Sequence, residues 1–177
     1  MKQYFMKTER LGFSTWEAED LPLARKLWGD PSVTALICAS GVFSEDDIEN
    51  RLKTEVMNLE KYGIQYWPVF DLASGELAGC CGLRPKEEGV YEIGFHLRPQ
   101  FWGQGVAAEA AGAVLKLAFG KLGAKSVFAG HNPKNIRSKS VMKKLGFRYI
   151  GDEFYAPTGL YHPSYSMMKD EFEALFL

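Results

Sequence analysis

Residues 91–113, YEIGFHLRPQFWGQGVAAEAAGA, dictate more of this chain's architecture than any other stretch. Tyr91, Ile93, Phe95 and Leu97 alternate with Glu92, Gly94 and His96, the period of two of a strand. Pro99 has no N–H to give to a ladder and ends that strand, and Gly103 and Gly105 mark a turn. From Val106 the chain is dense in alanine and reads as a helix. Strand, glycine turn and helix start together make an anion site. The first N–H groups of a helix have no intrahelical acceptor, and its dipole favours negative charge there. A phosphate-bearing ligand is the expected occupant.

Two motifs compete for these residues. Gly103-Gln104-Gly105-Val106-Ala107-Ala108 satisfies the dinucleotide pattern G-x-G-x-x-A, but that pattern needs an acidic residue closing the next strand to hold a ribose. Here the next strand ends in Gly130-His131-Asn132-Pro133, so the second anchor is missing. Read more widely, the stretch is Gln100-x-x-Gly103-x-Gly105-x-Ala107, and Asn135-x-x-Ser138 followed by Val141-Met142-Lys143-Lys144-Leu145-Gly146-Phe147 comes later. The pair resembles the GNAT superfamily of acyl-CoA-dependent N-acetyltransferases, and more narrowly its RimJ/RimL-like branch. The first segment resembles that family's Q/R-x-x-G-x-G/A pyrophosphate loop, the second its N-x-x-S-x-x-x-x-x-K-L-G-F segment.

The rest of the chain supplies elements in a compatible order. A first strand is expected over Glu9–Trp16, then a short helix to Trp28 capped by Asp20, with Pro22 in its first turn. Ser44-Glu45-Asp46-Asp47 opens a second helix, with Ile48, Leu52, Val56 and Leu59 facing inward and the charges between them forming a solvated face. Strands follow at 65–73 and 77–83 around Ser74-Gly75-Glu76, then a polar turn from Arg84 to Gly89 and the strand from Val90. The glycine-turn helix runs to about Leu122. It is followed by a strand at 125–130, a helix ending at Gly146, and strands at 148–156 and 164–169. A strand–helix–strand connection implies parallel pairing. The fold class is therefore α+β. The resemblance makes it a GNAT-like mixed central sheet, an antiparallel meander plus one parallel crossover, with helices on both faces. In that fold two central strands splay apart to admit a pantetheine arm, an opening that a bulge would supply.

Composition bounds the function. A chain of 177 residues with 46% hydrophobic content suits one domain, residues 1–177. Lys and Arg number 21 against 22 Asp and Glu, which gives no support for nucleic acid as a major partner. No stretch reaches membrane-span length and no apolar signal core opens the chain, so a cytoplasmic location is the default. Cys38, Cys80 and Cys81 form neither a disulfide framework nor a metal-ligand spacing; no metal is expected, and Cys80 and Cys81 should face opposite sides of a strand. Trp16 and Trp28 read as core. A monomer and a homodimer, the latter through final-hairpin aromatics, are both open.

The resemblance implies an enzyme moving an acetyl group from acetyl-CoA, its co-substrate, to an amine: a protein N-terminus, such as that of a ribosomal protein, or a small molecule. Cofactor contacts would come from N–H groups of Gly103, Gln104, Gly105, Val106 and Ala107, from strand backbone near Phe95 and Leu97, and from Asn135 and Ser138. Gln100 and Gln104 are either contacts or solvated turn residues, and Asn135 is equally explained as a helix cap. Lys134, Arg137 and Lys139 are candidates for the 3′-phosphate. An alkyl ammonium with a pKa of about 10 needs a base. Glu92 fits that role by position, with an edge hydrogen-bonder as its structural reading; His96 and then His131 are the alternatives. Ser138, Ser140 and Tyr155 are candidate donors to the leaving thiolate. With no well-placed cysteine, direct attack in a ternary complex is expected. The competing reading is a catalytically silent acyl-CoA sensor.

Overall fold

The computed structural model describes residues 2–176. Its strands are β1 Met6–Lys7, β2 Leu11–Phe13, β3 Tyr66–Asp71, β4 Leu77–Glu87, β5 Val90–Leu97, β6 Ser126–Gly130, β7 Arg148–Tyr155 and β8 Leu160–Met168. Its α-helices are α1 Leu21–Trp28, α2 Pro31–Thr34, α3 Glu45–Tyr62, α4 Val106–Lys116, α5 Ile136–Leu145 and α6 Lys169–Phe176. A single sheet runs in the order β1-β2-β3-β4-β5-β6-β8-β7. Every neighbouring pair is antiparallel except β5 and β6, which α4 joins as a crossover.

The period of two along each strand sorts side chains onto two faces. Leu83, Ile93 and Leu97 pack with Val106, Ala110 and Val114 of α4, Met142 and Leu145 of α5 and Phe172 of α6. Tyr66, Phe70 and Cys80 pack on the other face against Trp28 of α1 and Ile48 and Leu52 of α3. Cys80 and Cys81 lie in different cores, as alternation requires. Trp16 and Trp28 are fully buried core residues, worth about 2 kcal/mol or more apiece.

Local chemistry explains the helix limits. The Ser44 hydroxyl accepts from the Asp47 N–H at 3.2 Å while Asp47 accepts from the Ser44 N–H at 2.8 Å, and Gly63 closes α3 at φ +70°. The solvated face expected for α3 has an exception: Glu55 is 0% exposed. Asp20 does not cap α1. Its carboxylate accepts from the Glu17 N–H at 2.8 Å and from Lys2 at 2.6 Å, bracing a 3-10 turn ahead of the helix.

Several boundaries move. The strand expected at Glu9–Trp16 is only Leu11–Phe13, paired with β1 and β3; Ser14 N–H still donates to Pro68 O of β3, but at Trp16 the backbone N–H is taken by the Gln65 side chain in place of a ladder carbonyl. The expected polar turn at Arg84–Gly89 is mostly strand. β4 continues to Glu87, and the register shift between Pro85 and Glu87 accommodates the proline beside a two-residue turn. The last strand begins at Leu160, and α6, unexpected from the sequence, packs Phe172 on Phe119 with ring centroids 4.8 Å apart.

Candidate active site

The sheet opens at its centre. Val90, Tyr91 and Glu92 of β5 pair with Ser126, Val127 and Phe128 of β6, and beyond Glu92 the strands diverge. No bulge makes the gap. The β4–β5 register is unbroken from Gly79/Leu97 to Pro85/Tyr91, and its shift lies at the far end of the strand. The opening comes from two strands steered apart: β5 stays with β4 while β6 stays with β8. Because alternation is unbroken, Glu92, Gly94 and His96 share one face.

A cavity of about 400 Å³ follows the gap toward α4. It is lined by Phe95, Leu97, Gly103, Gly105, Val106, Ala107, Asn135 and Ser138, all expected from sequence, together with Trp102, Arg137 and Lys144. Among the described residues, no acidic side chain lines it. Gly103 and Gly105 sit at φ +71° and +76°, the left-handed turn that aims consecutive N–H groups outward. Among the described residues, no N–H from Gly103 to Ala108 donates to a protein acceptor. Arg10 and Glu109 brace this loop. Glu109 accepts from the Thr8 hydroxyl at 2.5 Å, the Arg10 N–H at 3.0 Å and Arg10 Nε at 2.7 Å, while Arg10 Nη1 donates to Gln104 O at 3.0 Å. Burial works against the Glu109 carboxylate, but these hydrogen bonds hold its pKa below the ordinary value.

Gln100 and Gln104 do not line the cavity; the Gln104 amide donates to Gln100 O at 2.6 Å and stiffens the turn. Asn135 caps α5, its oxygen accepting from the Ser138 N–H at 3.1 Å. Arg137 lies 4.2 Å over the Trp102 ring and faces the cavity, whereas Lys134 and Lys139 do not line it. Ser140 lines the cavity with its hydroxyl donating to Ile136 O at 3.0 Å.

A second chamber of about 280 Å³ continues from the first and shares Leu36, Ile37, Phe95, His96, Asn135 and Ser138 with it. Its walls are ionisable: Arg51, Arg84, Lys86, Glu92, His131, Glu153 and His162 all line it, with Tyr66 and Tyr155. Glu92 is half-buried and makes no hydrogen bond or ion pair with any described residue. Burial raises its pKa, Lys86 and Arg84 pull the other way, and the net direction is upward. The alternative bases are spoken for. Trp28 Nε1 donates to His96 Nδ1 at 3.1 Å, and an indole N–H can only donate, so the neutral His96 ring carries its proton on Nε2. Burial, with Arg51 and Arg84 nearby, drives the His96 pKa well down. His131 Nδ1 donates to Asn132 O at 2.8 Å. Tyr155 lines only this second chamber, its ring 4.7 Å from that of His162.

The family profile described as an acetyltransferase (GNAT) domain matches residues 10–148, most of the chain and both cavities' central residues. The chain belongs to the GNAT acetyltransferase family. It is 32% identical over 146 residues to the uncharacterized N-acetyltransferase YnaD of Bacillus subtilis, covering 81% of this chain and 82% of that one. A GNAT-family acetyltransferase structure from Bacillus anthracis superposes with a TM-score of 0.79 at 28% identity, covering 94% of this chain and 99% of that chain. RimL, the ribosomal L7/L12 α-N-protein acetyltransferase, in complex with coenzyme A, superposes with a TM-score of 0.78 at 16% identity over 96% of this chain and 99% of its own. That last likeness is one of fold.

In this GNAT acyltransferase the first cavity fits the family's acetyl-CoA: free N–H groups and two cations suit a pyrophosphate, and the unpaired β5 edge suits an amide-bearing arm. Both Cys80 and Cys81 are fully buried, and burial pushes the Cys80 thiol up to about 12 and the Cys81 thiol well above its ordinary value, which disfavours the thiolate form of either. Among the described residues no helix is long and apolar enough to cross a membrane. Sequence reasoning missed Arg51, Tyr66, Arg84, Lys86, Lys144 and Glu153. For Arg84 and Lys86 the signal was available, since a strand continuing through Pro85 would have placed Arg84 opposite Glu92.

Proposed function

We propose that residues 1–177 form one N-acetyltransferase domain that moves an acetyl group from acetyl-CoA to a primary amine, a protein N-terminus or a small molecule, by direct attack in a ternary complex. The observation that carries this reading is the junction. A cavity with free N–H groups and no acid meets an ionisable chamber holding an unpaired carboxylate, and they meet at Phe95, His96, Asn135 and Ser138.

Acetyl-CoA supplies the activated acyl thioester. The N–H groups of Gly103 to Ala107, with Arg137 and Lys144, hold its phosphates, and β5 beyond Glu92 holds its amide arm through strand-like bonds. Glu92 is the general base. It lies four residues before His96 on an unbroken strand, about 13 Å in backbone terms, so it takes the ammonium proton through water. His96 offers its Nε2–H as a donor at the junction. Ser138, whose hydroxyl has no partner among the described residues, donates a hydrogen bond to the departing thiolate, and an N–H of the unpaired β5 edge stabilises the developing oxyanion.

Thermal unfolding with acetyl-CoA, CoA and NADH in parallel tests the reading. At about 100 times the dissociation constant a true ligand stabilises the fold by roughly 2.7 kcal/mol. Acetyl-CoA and CoA are expected to raise the midpoint and NADH to leave it unchanged; the reverse pattern overturns the proposal. A panel of amines with acetyl-CoA then separates an enzyme from a silent acyl-CoA sensor.

A further inference from the structure

We propose that the acceptor is a free amino acid, its carboxylate held by Arg51 and Arg84 while its amine is presented to Glu92 and the junction. This rests on the acetyl-transfer reading and narrows its acceptor to a zwitterion.

The buried carboxylate of Glu55 is the starting point. Its Oε1 accepts from Arg51 Nε and Arg84 Nη2, each at 2.9 Å, and its Oε2 from the Tyr66 N–H at 2.8 Å. One carboxylate thus answers two guanidinium ions and leaves one positive charge over. Each guanidinium carries five N–H donors. Among the described residues, Arg51 donates only through Nε and Arg84 only through Nη2. Arg51 Nη2 and Arg84 Nε are buried without any acceptor. Unpaired buried donors are a standing cost that an incoming carboxylate would remove.

The two arginines are also held still. Their guanidinium carbons lie 5.3 Å and 4.5 Å from the Tyr66 ring centroid, and Arg51 lies 5.2 Å from that of Trp28. Both line the second chamber. Arg84 stands directly opposite Glu92 in the β4–β5 register, yet no ion pair joins them, because Arg84 is turned to Glu55. Cationic and anionic groups therefore remain separate within one chamber, the pattern a zwitterion complements. Lys86 adds no surplus, since Glu153 lies 3.7 Å from it. A protein N-terminus has spent its first carboxylate in a peptide bond, and a polyamine would meet an unanswered positive charge.

Initial rates with saturating acetyl-CoA test this on the full chain. The probes are L-α-amino acids, their primary amides and the corresponding decarboxylated amines, on wild type, Arg51→Lys and Arg84→Lys. At least one amino acid is expected to exceed its amide and amine by at least about tenfold in kcat/KM. Each lysine variant, which keeps a charge beside Glu55 but loses the planar fork, should erase that preference by raising KM for the acid alone. Thermal midpoints identify a variant that is merely unfolded. A readout free of variants is the wild-type midpoint with CoA plus an N-acetyl amino acid, which should rise above that with CoA plus the N-acetyl amide. Amides, simple amines or peptide N-termini used as well as the acid overturn the inference, as does an equal loss for acid and amide in the variants. If CoA and acetyl-CoA leave the midpoint unchanged, the acetyl-transfer reading itself fails and this inference falls with it. If they raise it and the amides win, only this inference fails.

Discussion

The two chambers that meet at His96 are built on opposite principles. The first is lined by the glycine turn with its helix, the end of β5, the start of α5 and the Leu36–Ile37 segment, and it presents backbone N–H groups, apolar walls and the cations Arg137 and Lys144. The second collects side chains from α3, β3, β4, β5, β6, β7 and β8, with charges of both signs. Two glutamates carry the contrast. Glu109, beside the glycine turn, is held by Thr8 and Arg10 with a lowered pKa; Glu92, in the second chamber, has no hydrogen-bonding partner among the described residues and a raised one. A carboxylate that braces a loop is kept ionised by its donors, whereas one left without donors in a closed chamber holds its proton more tightly, the property the proposed base needs.

Replacing Glu92 by Gln should produce the largest effect, a fall in kcat of about 10²–10⁴-fold with the CoA-induced midpoint shift retained. Because the base acts when deprotonated, wild-type kcat/KM should climb with pH through a pKa above 4.5, and that acid limb should vanish in the variant. A limb that persists would place the base elsewhere. Gly105→Val should act on the other chamber alone. At φ +76° a branched side chain is strained by about 1–3 kcal/mol and stands in the phosphate's path. The acetyl-CoA KM should rise at least about tenfold while saturated kcat is largely kept; an unchanged KM would remove the loop from the phosphate site.

Stability should separate the two glutamates by sign. Glu109, with a lowered folded pKa, contributes stability that is present above its unfolded pKa and lost as pH falls through the folded one. Glu109→Gln should therefore cost on the order of 1 kcal/mol at neutral pH, with the deficit closing in acid. Glu92 runs the other way: its contribution is present below 4.5 and lost as pH rises through its folded pKa. Glu92→Gln should thus unfold at a higher temperature than wild type at neutral pH and at the same temperature in acid. Deficits of the same sign for both would break the contrast. Cys81→Ala should change activity least, within about twofold, and wild type should release no burst of CoA without acceptor. A burst abolished by that substitution would restore an acyl-enzyme.

How much was legible follows from which interactions are local. The β5–turn–α4 unit and the Asn135–Ser138 start of α5 could be read because period, proline, left-handed glycines and a side-chain cap act within a few residues of one another. The Arg51–Glu55 pair could not. Spaced i to i+4 on a helix it looks like a solvated ion pair, and only the packing of α3 against β3 and β4 removes Glu55 from water and brings Arg84 to it. The gap between β5 and β6 is likewise absent from either strand's pattern. It exists because each strand follows a different neighbour, β4 on one side and β8 on the other. The amino-acid sequence by itself determined the family, the crossover and the glycine turn with its outward N–H groups, since these rest on backbone conformation chosen locally. The tertiary structure alone decided which charges line the second chamber and which of its carboxylates is left unpaired. Desolvation and pairing depend on what the rest of the chain places within a few ångströms, and no local pattern encodes that.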